Sequence, residues 1–461
     1  MKGILKEFKI VKNLFIFFIV VLLLNCETVY DNPVLIGNEA KWLKYNAVKV
    51  SNIWSSSTNF SDLQPLKTAI SDARIVMLGE QTHGDGTTFS AKIRLVKFLH
   101  QEMGFDVVAF ESGLYDCHRV WLDILNGEDP KNAARKGIFR IWSNCRDMRP
   151  LFDYIGDALY GYGLNTLEIA GFDCQFSGIK YRIGDTLYGN NSTTYLVDDL
   201  ENFLNQNNAQ ILNHDDWPPL KEILQIFAEE WTGRNPDAQN GYVPEKNNQA
   251  IFFNMLKAIQ EEVGTFRTPL HPLLQSSAFW QQVLKSIQEN AKSKWYSKPE
   301  DYINLRDAQM ADNLLWLYRN VYKDRKMIVW ASTYHIQRNI NEITDYYGCY
   351  PGWIPMGEIV WQTLGDEIYS IGFTGYQGTF RDIRSFRIKR VPPSSKGSLE
   401  YFMNEAEFNF GIIEFRHLTD DGAWLKNPLL SRPLSNVEMK ANWTRVLDAM
   451  FFIRDMRHST F

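Results

Sequence analysis

Short apolar runs recur along the chain without polar alternation, and several of them end on an acidic side chain. The first run, Ile75 to Gly79, leads into Glu80 and then into a polar turn that carries His83. Such a run is typical of a strand that is buried on both faces of a parallel sheet. Ligands and catalytic groups lie at the carboxyl ends of the strands in open α/β sheets. We therefore expect Glu80 and His83 to form one wall of an active site.

A helix and a second strand follow this wall. Apolar residues at positions 89, 93, 96 and 99 repeat on one face of a helix that is expected to end at Gly104. The run 107–110 then ends on Glu111, as the first run ended on Glu80. Strand, helix and strand in succession predict a βαβ unit with a right-handed crossover. We therefore expect the two strands to be parallel and adjacent, with both glutamates at the same edge of the sheet.

The same pattern continues later in the chain. Five further runs predict strands at 167–172, 326–331, 367–374, 411–415 and 451–453. The first of them ends on Asp173, and the second leads to His335. The sequence thus predicts an α/β fold with a mostly parallel sheet flanked by helices. Residues 71–190 and 321–461 are expected to build this domain around a helical insertion or cap at 191–320.

The first 25 residues are predicted to be a leader and not part of the fold. Four lysines precede an apolar run at 14–24, and Asn25 and Cys26 follow it. A basic start and a short apolar stretch are typical of a secretory signal, and the stretch is too short for a membrane span. The placement of Cys26 resembles a bacterial lipoprotein signal, in which the cysteine is lipidated. Residues 26–70 are then expected to be a tether with a first helix.

This leader predicts where the protein is located. A lipidated Cys26 would anchor the chain to a membrane of the bacterial cell envelope; a periplasmic or secreted protein is the alternative. The chain has 461 residues, 45% of them apolar, and a formal net charge of −5. These values are typical of a globular protein with a substantial core. Without a long basic run, nucleic acid is not an expected partner.

Four cysteines remain after the leader: Cys117, Cys145, Cys174 and Cys349. They form no C-x-x-C pair, which argues against a structural zinc site or a thioredoxin-like motif. Because export permits disulfide bonds, Cys117 and Cys145 are the pair we expect to be joined.

Several familiar catalytic solutions are absent from the sequence. It has no G-x-S-x-G nucleophile elbow, no H-E-x-x-H motif, no P-loop and no dinucleotide-binding glycine fingerprint. The strand-end groups suit general-base hydrolysis instead. In that reaction His83 takes a proton from water, while Glu80 or Glu111 fixes its tautomer and stabilises the imidazolium.

The remaining strand-end groups leave two chemistries open. In hydrolysis, His335 would act as the acid or help to hold the developing oxyanion, with Lys92 or Arg306 supplying positive charge. Two histidines and two glutamates would also suit zinc or iron. The alternative function is therefore an exported lipoprotein that binds a metal or a small ligand without hydrolysing esters. A binding module with a decayed site is a third reading.

The segment Gly79-Glu80-Gln81-Thr82-His83-Gly84 resembles the G-E-x-T-H-G motif of the erythromycin esterase family. Other segments follow in that family's order: Ala109-Phe110-Glu111, Arg306-Asp307, Val329-Trp330-Ala331 with His335, Met356-Gly357 and Leu447-Asp448-Ala449-Met450. The resemblance covers residues 70–455. It implies an α/β fold with a cleft, in which the motif histidine activates a water that opens a macrolide lactone without a required metal.

Carried onto this chain, the resemblance gives His83 the role of base, Glu80 and Glu111 the role of acidic neighbours, and His335 that of the family's second histidine. Ser332 stands where the antibiotic-cleaving members have another histidine. Lys92 stands where they have an arginine, so the charge is kept but the bidentate fork is lost.

These differences affect the expected substrate. We expect a hydrolase of esterase type that needs no cofactor and acts on a small ester or lactone other than erythromycin. Ser332 and Asp173, which follow two of the strands, are expected to contact that substrate.

Overall fold

A nine-stranded sheet organises the part of the chain that the structure, a computed structural model, describes. That part comprises residues 37–161, 163–178, 181–183, 186–188, 192–229, 243–296, 299–344 and 352–461. The predicted leader, the lipidation site Cys26 and Cys349 lie outside it.

The described strands, in chain order, are β1 (Val48–Val50), β2 (Ile75–Glu80), β3 (Phe105–Gly113), β4 (Glu168–Asp173), β5 (Tyr181–Ile183), β6 (Thr186–Tyr188), β7 (Lys326–Ser332), β8 (Ile368–Arg381), β9 (Ile388–Val391), β10 (Phe410–Glu414), β11 (Leu429–Ser431), β12 (Met439–Ala441) and β13 (Ala449–Met456). Pairs β5–β6 and β11–β12 form small separate sheets. The main sheet has the order β1-β10-β13-β8-β2-β7-β3-β4, and β9 pairs with β8.

Strand direction follows the expected α/β pattern. The neighbours from β13 through to β4 all pair in parallel, whereas β1–β10, β10–β13 and β8–β9 pair antiparallel. The predicted mostly parallel sheet flanked by helices is confirmed. The strands of its centre are buried on both faces, which explains why their sequences read as continuous apolar runs.

One topological prediction is wrong. Strands β2 and β3 are parallel but not adjacent, because β7 lies between them and pairs with both. A right-handed crossover can skip a position in the sheet, and a strand from much later in the chain fills the gap here. The two strands still end at the same edge, with Glu80 paired in register with Ser332 and Phe110 with Trp330.

The described helices, in chain order, are α1 (Asn38–Asn46), α2 (Pro65–Ile70), α3 (Gly86–Met103), α4 (Leu114–Leu125), α5 (Pro130–Gly137), α6 (Arg140–Ser143), α7 (Arg149–Tyr160), α8 (Leu196–Gln206), α9 (Trp217–Glu229), α10 (Lys246–Val263), α11 (Ser277–Trp295), α12 (Pro299–Trp316), α13 (Thr333–Ile336), α14 (Met356–Leu364), α15 (Leu399–Glu405) and α16 (Trp443–Val446). Helix α3 ends where the sequence predicts, because Gly104 adopts the left-handed φ of 73° that closes a helix. No described helix is long and apolar enough to cross a membrane.

Two apolar cores pack on opposite faces of the sheet. Helices α8 to α12 contribute to one face, and α3, α4 and α7 to the other. The expected Cys117–Cys145 disulfide is wrong, since both side chains are free thiols and each is buried in the second core. Burial raises the pKa of both thiols, so they act as small apolar side chains.

Candidate active site

The site lies at the carboxyl edge of the central strands. Strand β2 ends on Glu80, and its last residues pack tightly against the start of α13. A Cβ on Gly79 would lie 2.8 Å from the Cα of Thr333, so only glycine permits this approach. The Thr333 hydroxyl donates to the Gly79 carbonyl over 2.6 Å. Local packing therefore fixes where the Glu80 carboxylate lies.

Glu80 is fully buried and is the centre of a first group, the Glu80 cluster, with His83, Lys92 and Trp142. Its Oε1 accepts hydrogen bonds from His83 Nδ1 at 3.1 Å and from Trp142 Nε1 at 3.0 Å. Its Oε2 pairs with Lys92 Nζ. Because a carboxylate only accepts, the proton of His83 lies on Nδ1. The lone pair of His83 is therefore on Nε2.

His83 is the accessible member of this cluster. Its side chain is 20% exposed, whereas those of Glu80 and Lys92 are 0% exposed. The ring of Trp142 meets the imidazole edge-on, with centroids 5.2 Å apart and planes at 88°. One side of the ring is thus held by Glu80 and Trp142, and the rest can meet a ligand.

Lys92 lies behind Glu80 and away from any ligand. Its Nζ donates to the Ala331 carbonyl over 3.2 Å and lies 4.0 Å from the centre of the Trp330 ring. Burial lowers the pKa of Lys92 to about 8, against the opposing effect of Glu80. Lys92 thus contacts Glu80 and has no accessible surface of its own.

The turn around His83 is held by backbone hydrogen bonds. Gly84 O accepts from the amides of Arg381 at 3.0 Å and Ser459 at 2.7 Å. Asp85 is buried beneath this turn and accepts from the Thr82 amide over 3.2 Å. Burial and the nearby Glu80 raise the pKa of Asp85 to about 7.

A second group, the Glu111 cluster, comprises Glu111, Asp173, Arg306, Asp307 and His335. His335 lies between two carboxylates, with Nδ1 2.8 Å from Asp307 Oδ1 and Nε2 3.2 Å from Glu111 Oε1. Burial disfavours its charge, but the two carboxylates raise the pKa of His335 to about 10. It is therefore an imidazolium at neutral pH.

Arg306 joins Glu111 to Asp173. Its Nη2 lies 2.6 Å from Asp173 Oδ2 and 3.0 Å from Glu111 Oε1. Its Nη1 is also 3.2 Å from Nε2 of His335. Since His335 is protonated, that nitrogen donates to Glu111 and accepts nothing. The two cations therefore converge on one carboxylate.

These cations keep Glu111 ionised. Burial would raise the pKa of Glu111, yet His335 and Arg306, with a further contribution from the charge of His83, hold it well below its usual range. Strand β7 pairs with both β2 and β3, the strands that end near Glu80 and Glu111. The sequence-predicted residues therefore come together at one edge of the sheet, in two neighbouring clusters.

Ser332 connects the two clusters through its backbone. Its amide donates to Glu111 Oε2 over 2.9 Å, and its hydroxyl accepts from the Tyr334 amide at 3.3 Å to cap α13. Ser332 and Asp173 are both buried, and their polar atoms are occupied by these protein contacts.

Sequence reasoning missed three positioning residues. Trp142 fixes Glu80, Asp307 fixes His335, and Trp353 Nε1 donates to Asp307 Oδ2 over 3.1 Å. The sequence could have indicated Asp307, because it directly follows the candidate site residue Arg306 on α12. It contained no indication of the two tryptophans, because nothing in their local sequence distinguishes them from aromatic residues of the core. Within the described part of the chain, no group of three or more His, Cys, Asp or Glu is arranged to hold a metal ion.

Known proteins resemble this chain in sequence and in architecture. The putative hydrolase YbfO of Bacillus subtilis is 26% identical over 402 residues, which cover 84% of each protein. Erythromycin esterase type II of Escherichia coli is 20% identical over 417 residues, covering 86% of this chain and 92% of that one. A Bacillus cereus protein of known crystal structure is 19% identical with a TM-score of 0.72, over 91% of this chain and 98% of the other.

A family model assigns the chain to a family. The model described as erythromycin esterase matches residues 100–456, well over half of the chain. The two curated relatives carry the names of hydrolases. The chain therefore belongs to the erythromycin esterase family of hydrolases.

Proposed function

We propose that this protein hydrolyses a carboxylic ester or lactone with a water molecule that His83 activates. One observation carries the proposal: the buried Glu80 holds His83 by Nδ1 at 3.1 Å, while the imidazole remains the accessible group of its cluster. A histidine in this state presents a free lone pair on Nε2 to a bound water. That is the arrangement that general-base catalysis requires.

The reaction balances without a further reagent. His83 Nε2 takes a proton from water as the water oxygen attacks the ester carbonyl carbon. Glu80 stabilises the imidazolium through the Nδ1 hydrogen bond. When the tetrahedral intermediate collapses, the carbon–oxygen bond to the alkoxide breaks, and His83 returns the proton to that oxygen. The products are a carboxylic acid and an alcohol.

The charges of the site favour this proton transfer. Apart from His83, the two clusters hold four carboxylates and three cations: Glu80, Glu111, Asp173, Asp307, Lys92, Arg306 and His335. The site therefore has one excess negative charge until His83 is protonated. Arg306 is 12% exposed, whereas Lys92 is fully buried, so Arg306 is the better placed of the two to meet a developing oxyanion.

His335 has a different role in this mechanism. With a pKa raised to about 10 and both nitrogens on carboxylates, it is a poor proton donor near neutral pH. We propose that it positions Glu111 and keeps it ionised. Glu111 in turn orients Arg306 towards the site.

The first prediction tests His83. We expect His83→Ala to lower kcat/KM on aryl esters and lactones by about two to four orders of magnitude, the usual contribution of a general base. The exposed His417 supplies the matched control, because His417→Ala removes an imidazole far from this machinery. Equal rates for wild type and His83→Ala would rule out His83 as the base.

The proposed substrate class is carboxylic esters and lactones. A curated relative is named erythromycin esterase type II, but Ser332 replaces the histidine expected in antibiotic-cleaving members. The panel should therefore include macrolides beside simple esters and lactones. Turnover of simple esters without macrolides would support our proposal of a different substrate, and macrolide turnover would contradict it.

We also propose that the protein is anchored to a membrane of the bacterial cell envelope through a lipid on Cys26. The basic start, the apolar run at 14–24 and the position of Cys26 support this proposal. The second prediction is that Cys26→Ser abolishes labelling by a fatty-acid analogue and moves the protein from the membrane to the soluble fraction. Labelling that persists in Cys26→Ser would contradict it.

A further inference from the structure

The end of the β8–β9 hairpin concentrates positive charge in a chain that is acidic as a whole. The segment 380–391, here called the basic hairpin, carries five basic residues and one acid, whereas the chain has a net charge of −5. Every residue from Arg384 to Arg390 is exposed. The negative net charge of the whole chain gives no indication of this local excess of basic residues.

Two of the basic side chains stabilise the hairpin itself. Arg381 donates to the carbonyls of Ser459 and Phe386, each at 2.8 Å. Lys389 forms an ion pair with Asp382. These contacts fix the shape of the hairpin and account for its single acid.

Three arginines remain available for an external partner. Arg384, Arg387 and Arg390 form no side-chain hydrogen bond or ion pair with any described residue, and all three are exposed. Their mutual repulsion is unfavourable without counter-charges. An anionic partner would supply these charges.

Large apolar side chains lie between these arginines. Phe386 is 55% exposed and Ile388 is 51% exposed. Among the described residues, Phe386 has one ring contact, with Phe461, whose ring lies edge-on with its centroid 5.7 Å away. A dissolved anion gains nothing from contact with exposed apolar side chains. A lipid interface, in contrast, buries apolar side chains and binds cationic ones at its headgroups.

The basic hairpin begins beside the catalytic turn. Strand β8 extends past the end of β2, and the Arg381 amide donates to Gly84 O next to His83. The hairpin therefore projects from the same edge of the sheet as the candidate active site. A surface bound there would lie close to the turn that carries His83.

We propose that the basic hairpin binds an anionic phospholipid surface. Arg384, Arg387 and Arg390 pair with headgroup phosphates, and Phe386 and Ile388 enter the interface. The contact does not depend on a lipid at Cys26 or on ester hydrolysis. It gives the folded part of the chain a defined orientation on a membrane.

Vesicle flotation with the full chain tests this proposal. The hairpin variant carries Arg384→Gln, Arg387→Gln and Arg390→Gln, and a matched control loses the same charge at exposed Lys49, Arg135 and Lys246. Each protein is mixed with phosphatidylcholine vesicles, with or without phosphatidylglycerol, at low and high salt. The leader contributes equally in all three proteins, so the response to phosphatidylglycerol is the quantity compared.

We expect phosphatidylglycerol to strengthen binding of wild type and control, and the hairpin variant to lose about two orders of magnitude of that gain, since each basic side chain near a membrane contributes about fivefold. High salt should remove the difference. Hydrogen exchange at residues 384–390 should slow on phosphatidylglycerol vesicles only. Equal responses of hairpin and control variants would overturn the proposal, as would equal slowing by inorganic phosphate or heparin, which would identify a site for dissolved or polymeric anions.

Discussion

His335 and Glu111 illustrate how single residues set the charge state of the site. Both side chains are buried, and each helps to keep the other charged, together with Asp307 beside His335 and Arg306 beside Glu111. The folded-state pKa of His335, about 10, lies above its ordinary value of 6.5. Its contribution to stability is therefore complete below about pH 6.5 and is lost as the pH rises through 10.

The third prediction follows from this raised pKa. We expect His335→Gln to lower the free energy of unfolding most near pH 6 to 7, with a difference from wild type that shrinks towards pH 10. Lys92, whose pKa is lowered to about 8, titrates with the opposite sign in both proteins and cancels in the difference. Urea unfolding at several pH values measures it. A difference that stays constant from pH 6 to 10 would show that His335 is not a buried cation.

At the scale of elements, the turn that carries His83 is in direct contact with the β8–β9 hairpin. A Cβ on Gly84 would lie 1.8 Å from the carbonyl oxygen of Arg381, so the turn and the strand approach closely only because residue 84 is glycine. The neighbouring His83 takes its position from this contact. The sequence motif ends in glycine for a steric reason.

The fourth prediction concerns that contact. We expect Gly84→Ala to cost about 1–3 kcal/mol of stability through overpacking, and to lower kcat/KM by about 100-fold because His83 is displaced. Gly264→Ala is the control, since the nearest atom to its Cβ would be the flexible end of Gln281 at 2.7 Å, and the nearest backbone oxygen would lie 3.3 Å away. Urea unfolding and ester hydrolysis measure the two effects. Unchanged hydrolysis by a folded Gly84→Ala protein would contradict the link between turn and strand.

Across the whole molecule, the two edges of the sheet have different roles. The carboxyl edge carries the candidate active site. At the opposite edge Arg325 joins two strands, with Nε 3.0 Å from Asp106 Oδ2 and Nη1 2.5 Å from Glu168 Oε2. This ion-pair network connects the starts of β3, β4 and β7 and lies on the far side of the sheet from His83.

The fifth prediction separates stability from activity. We expect Arg325→Met to reduce the free energy of unfolding by about 1–2 kcal/mol, because two partly buried carboxylates lose their partner, and to leave kcat/KM unchanged. Lys323→Met, at a 71% exposed side chain, should change neither. A loss of activity in folded Arg325→Met would show that the two edges are coupled.

Local sequence was sufficient to predict that Glu80 and His83 lie together in the site. The apolar run, the acid at its end and the histidine three residues later are adjacent in the chain, so strand and turn geometry alone bring Glu80 and His83 together. The α/β class and the approximate position of each central strand follow from the same local periodicity. The end of α3 at Gly104 is likewise a local property of glycine.

Only the tertiary structure decided what surrounds Glu80 and His83. Strand periodicity does not specify a partner, so the placement of β7 between β2 and β3 was not predictable, and with it the contact of Ser332 with Glu111. The burial of Lys92 behind Glu80 depends on side chains far apart in the chain, as do the free thiols of Cys117 and Cys145. Sequence determined which residues end the strands, because that information is local; packing determined which of them touch, because contact depends on the whole chain.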